Sequence, residues 1–171
     1  SVNLTDISQA LDEKISLHAT HKRLCRNLED LELSANLADR LLRLGAEKVG
    51  PDTRLIIHLY ELNKKYARKM EYLSTRDELD GAGFKVCEIL ASEPESDTYI
   101  PLTVNVWSNQ VPGFISDADE IRKTVLRVQA AMGNRGVFYI DDHSLDFELF
   151  RPIMKDSWLD YVFPLQDEEL E

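Results

Sequence analysis

The stretch GVFYIDDH, residues 136–143, decides what fold this chain can adopt. Four apolar or aromatic residues follow Gly136 without interruption, and the run ends at the carboxylates of Asp141 and Asp142. An apolar run of this length is typical of a strand buried on both faces of a sheet. Carboxylates at the carboxyl end of such a strand lie where open α/β sheets place their ligands. The sequence therefore predicts an interior strand over 136–141 and a candidate site at Asp141.

The segments around this strand predict a mixed α/β domain. Three strands come first, over residues 55–59, 84–89 and 99–106. They are followed by a helix over 121–132, a strand over 136–141, a helix over 144–154 and a short strand over 161–163. In the third strand Ile100, Leu102, Val104 and Val106 alternate with other residues, which predicts that all four lie on one buried face. Residues 63–73 predict a short helix and 77–83 a loop. The helix after the third strand is expected to begin at a capping box, with Asp117 as the cap and Glu120 three residues on.

The first fifty residues have the apolar spacing of amphipathic helices. Leu11, Ile15 and Leu17 begin one pattern, and Thr20 and Ser34 are expected to be the N-caps of two further helices. Gly50 and the proline after it predict a turn that ends the region. We therefore predict a helical segment over 1–50 and an α/β domain over 51–171.

Composition restricts the partners of the chain. The 171 residues carry a net charge of −11, and residues 84–171 hold 17 acidic and only 7 basic residues. This balance argues against non-specific DNA binding, which depends on phosphate contacts. Two cysteines without metal-ligand spacing predict reduced thiols in a cytoplasmic protein. No apolar stretch approaches the roughly 20 residues of a membrane span, so no membrane association is expected.

Positive charge is nevertheless clustered in the first half of the chain. The first group is expected to share a helical face and consists of Lys22, Arg23 and Arg26. The second group follows the first predicted strand and consists of Lys64, Lys65, Arg68 and Lys69. Each could contact DNA phosphates. The alternative is that each is a solvated helix face.

Four motifs resemble those of bacterial insertion-sequence transposases with a DDE catalytic core. They are HKRLCRNL (21–28), DTRLII (52–57), KKYARKMEYL (64–73) and GVFYID (136–141), and their order and spacing agree from about residue 15 to residue 166. The resemblance implies a ribonuclease-H-like mixed sheet flanked by helices, with an N-terminal helical lead-in. The order of predicted strands and helices is also that of a ribonuclease-H-like domain. DNA is the partner that the resemblance implies, and the bacterial cytoplasm is the expected location.

The resemblance also implies a site in which three carboxylates hold two Mg²⁺ or Mn²⁺ ions for DNA cleavage and strand transfer. The family's first carboxylate falls on His58, and a further acidic position of the family falls on Glu61. The second falls on Asp141, which is retained as a catalytic and metal-binding position. The third would lie beyond residue 171.

Because imidazole binds Mg²⁺ poorly, we expect a transposase-derived domain that is catalytically incomplete on its own. Whether it acts as an enzyme is left open. The alternative is a non-catalytic ribonuclease-H-like module that binds DNA or a protein, and a homodimer is also open. His58, Asp141 and His143 could form a Zn²⁺ or Mn²⁺ site, or His58 and Asp141 could form a structural hydrogen bond.

Overall fold

The computed structural model describes residues 4–28, 31–63, 70–75, 82–94, 96–140, 147–156 and 160–163. The chain forms two compact units, Ser1–Arg40 and Leu41–Glu171. The first is helical and the second is an α/β unit. The predicted domain boundary at residue 50 lies nine residues after the start of the second unit.

The first unit contains α1 (Leu4–Ala10), α2 (Leu17–Leu28) and the start of α3 (Leu31–Ala46). Leu11 and Ile15 lie between α1 and α2, so the helix predicted from their spacing is wrong at these positions. Thr20 is also not an N-cap. It lies inside α2 as a buried residue, and its hydroxyl donates to the Glu13 carboxylate at 3.0 Å. Ser34 lies inside α3 and is therefore not its N-cap.

The second unit is built on a mixed sheet, in which the described residues form six strands. These are β1 (Arg54–Asn63), β2 (Ser74–Thr75), β3 (Ala82–Ser92), β4 (Tyr99–Trp107), β5 (Val137–Ile140) and β6 (Tyr161–Val162). The order is β2-β3-β1-β5-β6, with β4 also paired to β3. β1 is antiparallel to β3 and parallel to β5, and β5 is parallel to β6. The predicted strands are thus confirmed within the described residues, as part of an α/β sheet flanked by helices. The expectation that the strand after Gly136 is buried on both faces is wrong, because Val137 and Tyr139 are only half-buried.

One face of the sheet carries the hydrophobic core and is here called the core face. Alternate residues of β1, β3 and β5 are buried there with the end of α3, and they include Leu55, Ile57, Cys87, Ile89, Ala91, Phe138 and Ile140. Two helices supply the covering side chains, α4 (Asp117–Met132) and α5 (Phe147–Asp156). Burying a large apolar side chain fully contributes about 1.5–3 kcal/mol, so this layer is the main source of stability.

Helix α4 begins one residue earlier than its sequence predicts. Ser116 is the N-cap, and its hydroxyl accepts the backbone N–H of Asp119 at 3.1 Å. Asp117 instead lies in the first turn, where its carboxylate accepts the indole N–H of Trp107 at 2.8 Å. The assignment of Asp117 as the N-cap was wrong because the residue before it, Ser116, has a hydroxyl that caps the helix. Gly133 ends the helix with a positive φ of 65°.

Strand β4 departs from simple alternation. Its pairing with β3 shifts between Ile89 and Leu90, which is a β-bulge. Leu102 and Thr103 are consequently both buried, whereas Val104 and Val106 are 47% and 48% exposed. The prediction that four apolar residues share one buried face is wrong for the last two, because a bulge reverses the faces of all residues after it.

Two neighbouring residues join β5 to the rest of the unit. Gly136 has φ of 90°, and a side chain there would lie 2.8 Å from the Leu55 side chain, so only glycine fits. The Arg135 side chain donates to the carbonyls of Met132, Ala46 and Val49 at 3.0, 2.9 and 2.8 Å. It thereby ties the end of α3 to the end of α4.

Some predicted elements fall only partly on the described residues. The helix expected over 63–73 lies outside them at 64–69. It is wrong at its described positions, because residue 63 belongs to β1 and residues 71–72 form a turn. The predicted loop over 77–83 lies outside them up to residue 81, and the last two residues belong to β3. Helix α5 confirms the helix predicted over 144–154 from Phe147 onward.

Candidate functional site

The parallel pairing of β1 with β5 sets the geometry of the candidate site. Four residue pairs define the register, and the last of them joins Ile57 to Ile140. His58 is therefore the next residue of β1, and Asp141 is the next residue of the chain after β5. Asp141 lies outside the described residues, as do Asp142 and His143. The expected neighbourhood of the two strands is confirmed, while the contact between the two side chains stays a prediction.

His58 lies on the face of the sheet opposite the core, here called the open face. Its side chain is exposed, and its ring centroid is 5.2 Å from that of Tyr60 on the same strand. Glu88 of β3 is its cross-strand partner. Burial raises the pKa of the Tyr60 phenol above its ordinary value, and the Glu88 carboxylate raises it further. One carboxylate, that of Glu88, thus lies beside His58, the position where the resemblance implies a metal ligand.

Glu61, the second position carried over on β1, does not join His58. The two residues are three apart on a strand that pairs regularly with β3 over its whole length. Side chains alternate between faces with a period of two, so Glu61 and His58 point to opposite faces. The structure therefore brings His58 together with Glu88, a residue that the sequence patterns did not single out, because cross-strand partners are known only once the register is known.

The described residues do not supply a metal-binding set. No group of three or more histidine, cysteine, aspartate or glutamate side chains that could hold an ion occurs in the part of the chain that the structure describes. His58 lies in the middle of β1, which continues to Asn63, so the strand predicted over 55–59 does not end there. The donors at this position are one imidazole and the neighbouring Glu88, which is short of the hard oxygen ligands that Mg²⁺ requires. The described part of the site therefore does not fit a pair of divalent ions, and Asp141 lies outside that part.

A groove of about 460 Å³ crosses the open face beside His58. Its floor is formed by alternate residues of β1, and its walls come from the neighbouring strands; the lining includes Arg54, Ile56, His58, Leu90, Tyr99 and Tyr139. The Arg54 guanidinium lies over the Tyr139 ring, with its central carbon 5.6 Å from the ring centroid. Sequence reasoning missed this groove, although the alternation of Arg54, Ile56 and His58 was a readable signal.

The first basic group lies on α2. Lys22, Arg23 and Arg26 are all exposed, as a DNA-contacting face would require. Arg23 is ion-paired with Glu13, which precedes α2. Arg23 and Arg26 line a shallow cleft together with Ile15, Ala19 and Asn27. Lys64, Lys65, Arg68 and Lys69 form the second predicted group, which lies outside the described residues.

Comparison of the chain with models of known protein families and with curated proteins gives no match in either case. Within the described residues, each helix is too short or too polar to span a bilayer. A function for this chain is therefore inferred from the geometry of the site and from the sequence motifs.

Proposed function

We propose that this chain contains a ribonuclease-H-like domain related to insertion-sequence DDE transposases, with a catalytic site that is degenerate at position 58. The observation that carries the proposal is the parallel register of β1 and β5, which pairs Ile57 with Ile140. The two positions that the resemblance assigns to metal-binding carboxylates, 58 and 141, each follow one member of this pair. The residues that precede these two positions, Ile57 and Ile140, thus lie at the same level of neighbouring strands.

The topology supports the same proposal. The first three long strands, β1, β3 and β4, form a consecutive antiparallel series. Helix α4, β5, α5 and β6 then follow, with β5 and β6 parallel to β1. This order is compatible with a ribonuclease-H-like sheet, in which the strands that carry the first and second carboxylates are neighbours.

The chemistry of position 58 explains why we infer a loss of activity. An imidazole offers one neutral nitrogen lone pair, whereas a carboxylate offers negative charge and two oxygen atoms to a hard cation. Two divalent ions held about 4 Å apart need carboxylates that bridge or flank them. A histidine at position 58 would leave the ions with much of their charge unneutralised, so we infer that this chain does not cleave DNA by itself.

A nicking assay tests the loss of activity. The purified chain is incubated with supercoiled plasmid and Mg²⁺ or Mn²⁺, and relaxed product is measured. We expect no nicking above that of an Asp141→Ala control. Nicking by the wild-type chain that is abolished in this control would refute the inference of inactivity.

A gain-of-function variant tests the descent of the site. His58→Asp restores a carboxylate next to the strand that leads to Asp141, and we expect it to bind Mn²⁺ at least about tenfold more tightly than the wild type, because opposite charge and hard oxygen donors are added. Tyr60→Asp is the matched control, since it adds the same charge two residues along the same face. Isothermal titration measures both affinities.

The two variants separate a specific site from a general charge effect. If Tyr60→Asp binds Mn²⁺ as tightly as His58→Asp, the added charge alone accounts for the gain and the proposed site is wrong. Adding Asp141→Asn to His58→Asp should remove the gain. If it does not, Asp141 is not part of the site.

The exposed cations of α2 favour a second candidate function, a non-catalytic DNA-binding module. Lys22 and Arg26 form no ion pair with another described residue, whereas Arg23 is held by Glu13. We expect filter binding of duplex DNA to weaken with rising salt, and a Lys22→Gln, Arg26→Gln double variant to show a salt slope smaller by about two, since each phosphate contact contributes close to one. A wild-type affinity that does not change with salt would exclude this function.

A further inference from the structure

We infer that the groove on the open face binds a small molecule made of a planar ring and an anionic group, as in a nucleoside monophosphate. The inference rests on the contacts of Arg54, Tyr139 and Tyr99, and it does not depend on the proposed descent from a transposase.

The anion end of the groove is Arg54. Its side chain is exposed and makes no ion pair with any residue that the structure describes. It rests instead on the Tyr139 ring. A guanidinium that lies over a ring is held in place by the cation–π contact and keeps its N–H groups for hydrogen bonds. A phosphate or carboxylate can accept two of these N–H groups at once.

The ring end of the groove is apolar and flat. Ile56 forms the floor next to Arg54 and is half-buried, and Leu90 lies beside it as its cross-strand partner. Tyr139 and Tyr99 stand on the two sides, and Tyr99 is 57% exposed. Tyrosine rings on an exposed sheet surface provide stacking platforms for planar rings.

Length and charge decide the orientation and the size of the ligand. Arg54 and His58 are four residues apart on one strand, which is a span of about 13 Å. His58 faces Glu88 across the strand pair, so the negative group of a ligand is disfavoured at that end. The groove volume of about 460 Å³ lies within the range of small-molecule sites. One ring with its anion therefore fits, with the anion at Arg54.

Titration calorimetry at low salt with three probes tests the inference: adenosine monophosphate, adenosine and inorganic phosphate. We expect the nucleotide to bind at least about tenfold more tightly than either part alone, because it uses both the guanidinium and the rings. Failure of the nucleotide to bind would overturn the inference. Equal affinity for phosphate and nucleotide would overturn it as well, since the rings would then contribute nothing.

Variants of the exposed residues locate the site without disturbing the core. Arg54→Gln should weaken nucleotide binding about tenfold or more, and Tyr99→Leu about fivefold or more. Lys48→Gln, which removes an exposed positive charge elsewhere, should leave the affinity unchanged. Equal losses in Arg54→Gln and Lys48→Gln would show a general charge effect and overturn the site.

A short oligothymidylate is the last arm of the test. Because the groove has one anion position, we expect the oligonucleotide to bind no more tightly per molecule than the mononucleotide. Binding of the oligonucleotide together with no binding of the mononucleotide would replace the proposed small-molecule site by a single-strand surface, and the inference would be wrong.

Discussion

Substitution of Gly136 by alanine tests whether the close approach of β5 to Leu55 of β1 requires glycine at this position. A Cβ atom at this position would lie 2.8 Å from both Cγ and Cδ1 of Leu55, in the middle of the buried layer. The φ of 90° also places the residue in a region that side chains disfavour, which costs about 1–2 kcal/mol. Overpacking adds about 1–3 kcal/mol. We therefore expect Gly136→Ala to lower the free energy of unfolding by about 2–5 kcal/mol.

Gly113 provides a matched control. Its φ is 85°, close to that of Gly136, but nothing lies within 4 Å of the position of an added Cβ. Gly113→Ala should therefore show only the backbone cost of about 1–2 kcal/mol. Urea unfolding monitored by circular dichroism measures both variants. Equal losses in the two would mean that the approach to Leu55 does not matter, and the steric requirement for glycine at position 136 would be refuted.

A double-mutant cycle isolates the contact itself. Leu55→Ala should cost about 2–5 kcal/mol by emptying a fully buried position. Alanine at position 55 lacks the atoms that would clash with an alanine at position 136. The double variant should therefore be more stable than the sum of the two single losses predicts. Strict additivity would contradict a direct contact between these two residues.

Three further predictions concern the second unit. Burial raises the pKa of the Cys87 thiol to about 12 from 9.0, so the folded state holds this proton more tightly than the unfolded chain. The contribution of this thiol to stability should be constant below about pH 9 and fall by up to about 4 kcal/mol as pH rises toward 12. Urea unfolding of Cys87→Ala should lack this part of the fall. The Gln129 side chain is fully buried and has no hydrogen-bond partner among the described residues; Gln129→Met should raise the free energy of unfolding by about 1–3 kcal/mol, and a loss in the same measurement would mean that the amide is satisfied. Arg135→Met removes three hydrogen bonds to backbone carbonyls and should cost about 2–4 kcal/mol in thermal or urea unfolding; a change below about 0.5 kcal/mol, typical of a plain surface site, would contradict its role.

The sequence was sufficient for elements whose signals are local. The apolar run before Asp141 predicted β5, and the spacing of Ile121, Val125, Val128 and Met132 predicted α4, because each signal lies within the element that it describes. Gly133 ends that helix, since a residue with positive φ at a helix terminus favours glycine.

Features that depend on distant residues were beyond local patterns. The alternation of apolar residues in β4 is the same with or without a bulge, so the faces of Val104 and Val106 could not be assigned from it. Thr20 is a residue type that favours the N-cap position, but its hydroxyl donates to Glu13, which lies seven residues earlier in the chain. The groove needed Tyr99 and Tyr139 to be placed on either side of β1, and only the strand order supplies that placement.

The most direct test of the central claim is the anomalous diffraction of a wild-type crystal soaked in Mn²⁺. We propose that position 58 lacks the oxygen donors that a pair of divalent ions requires, so we predict no pair of ordered ions beside His58 and the carboxyl end of β5. Two anomalous peaks about 4 Å apart beside residues 58 and 141 would contradict it.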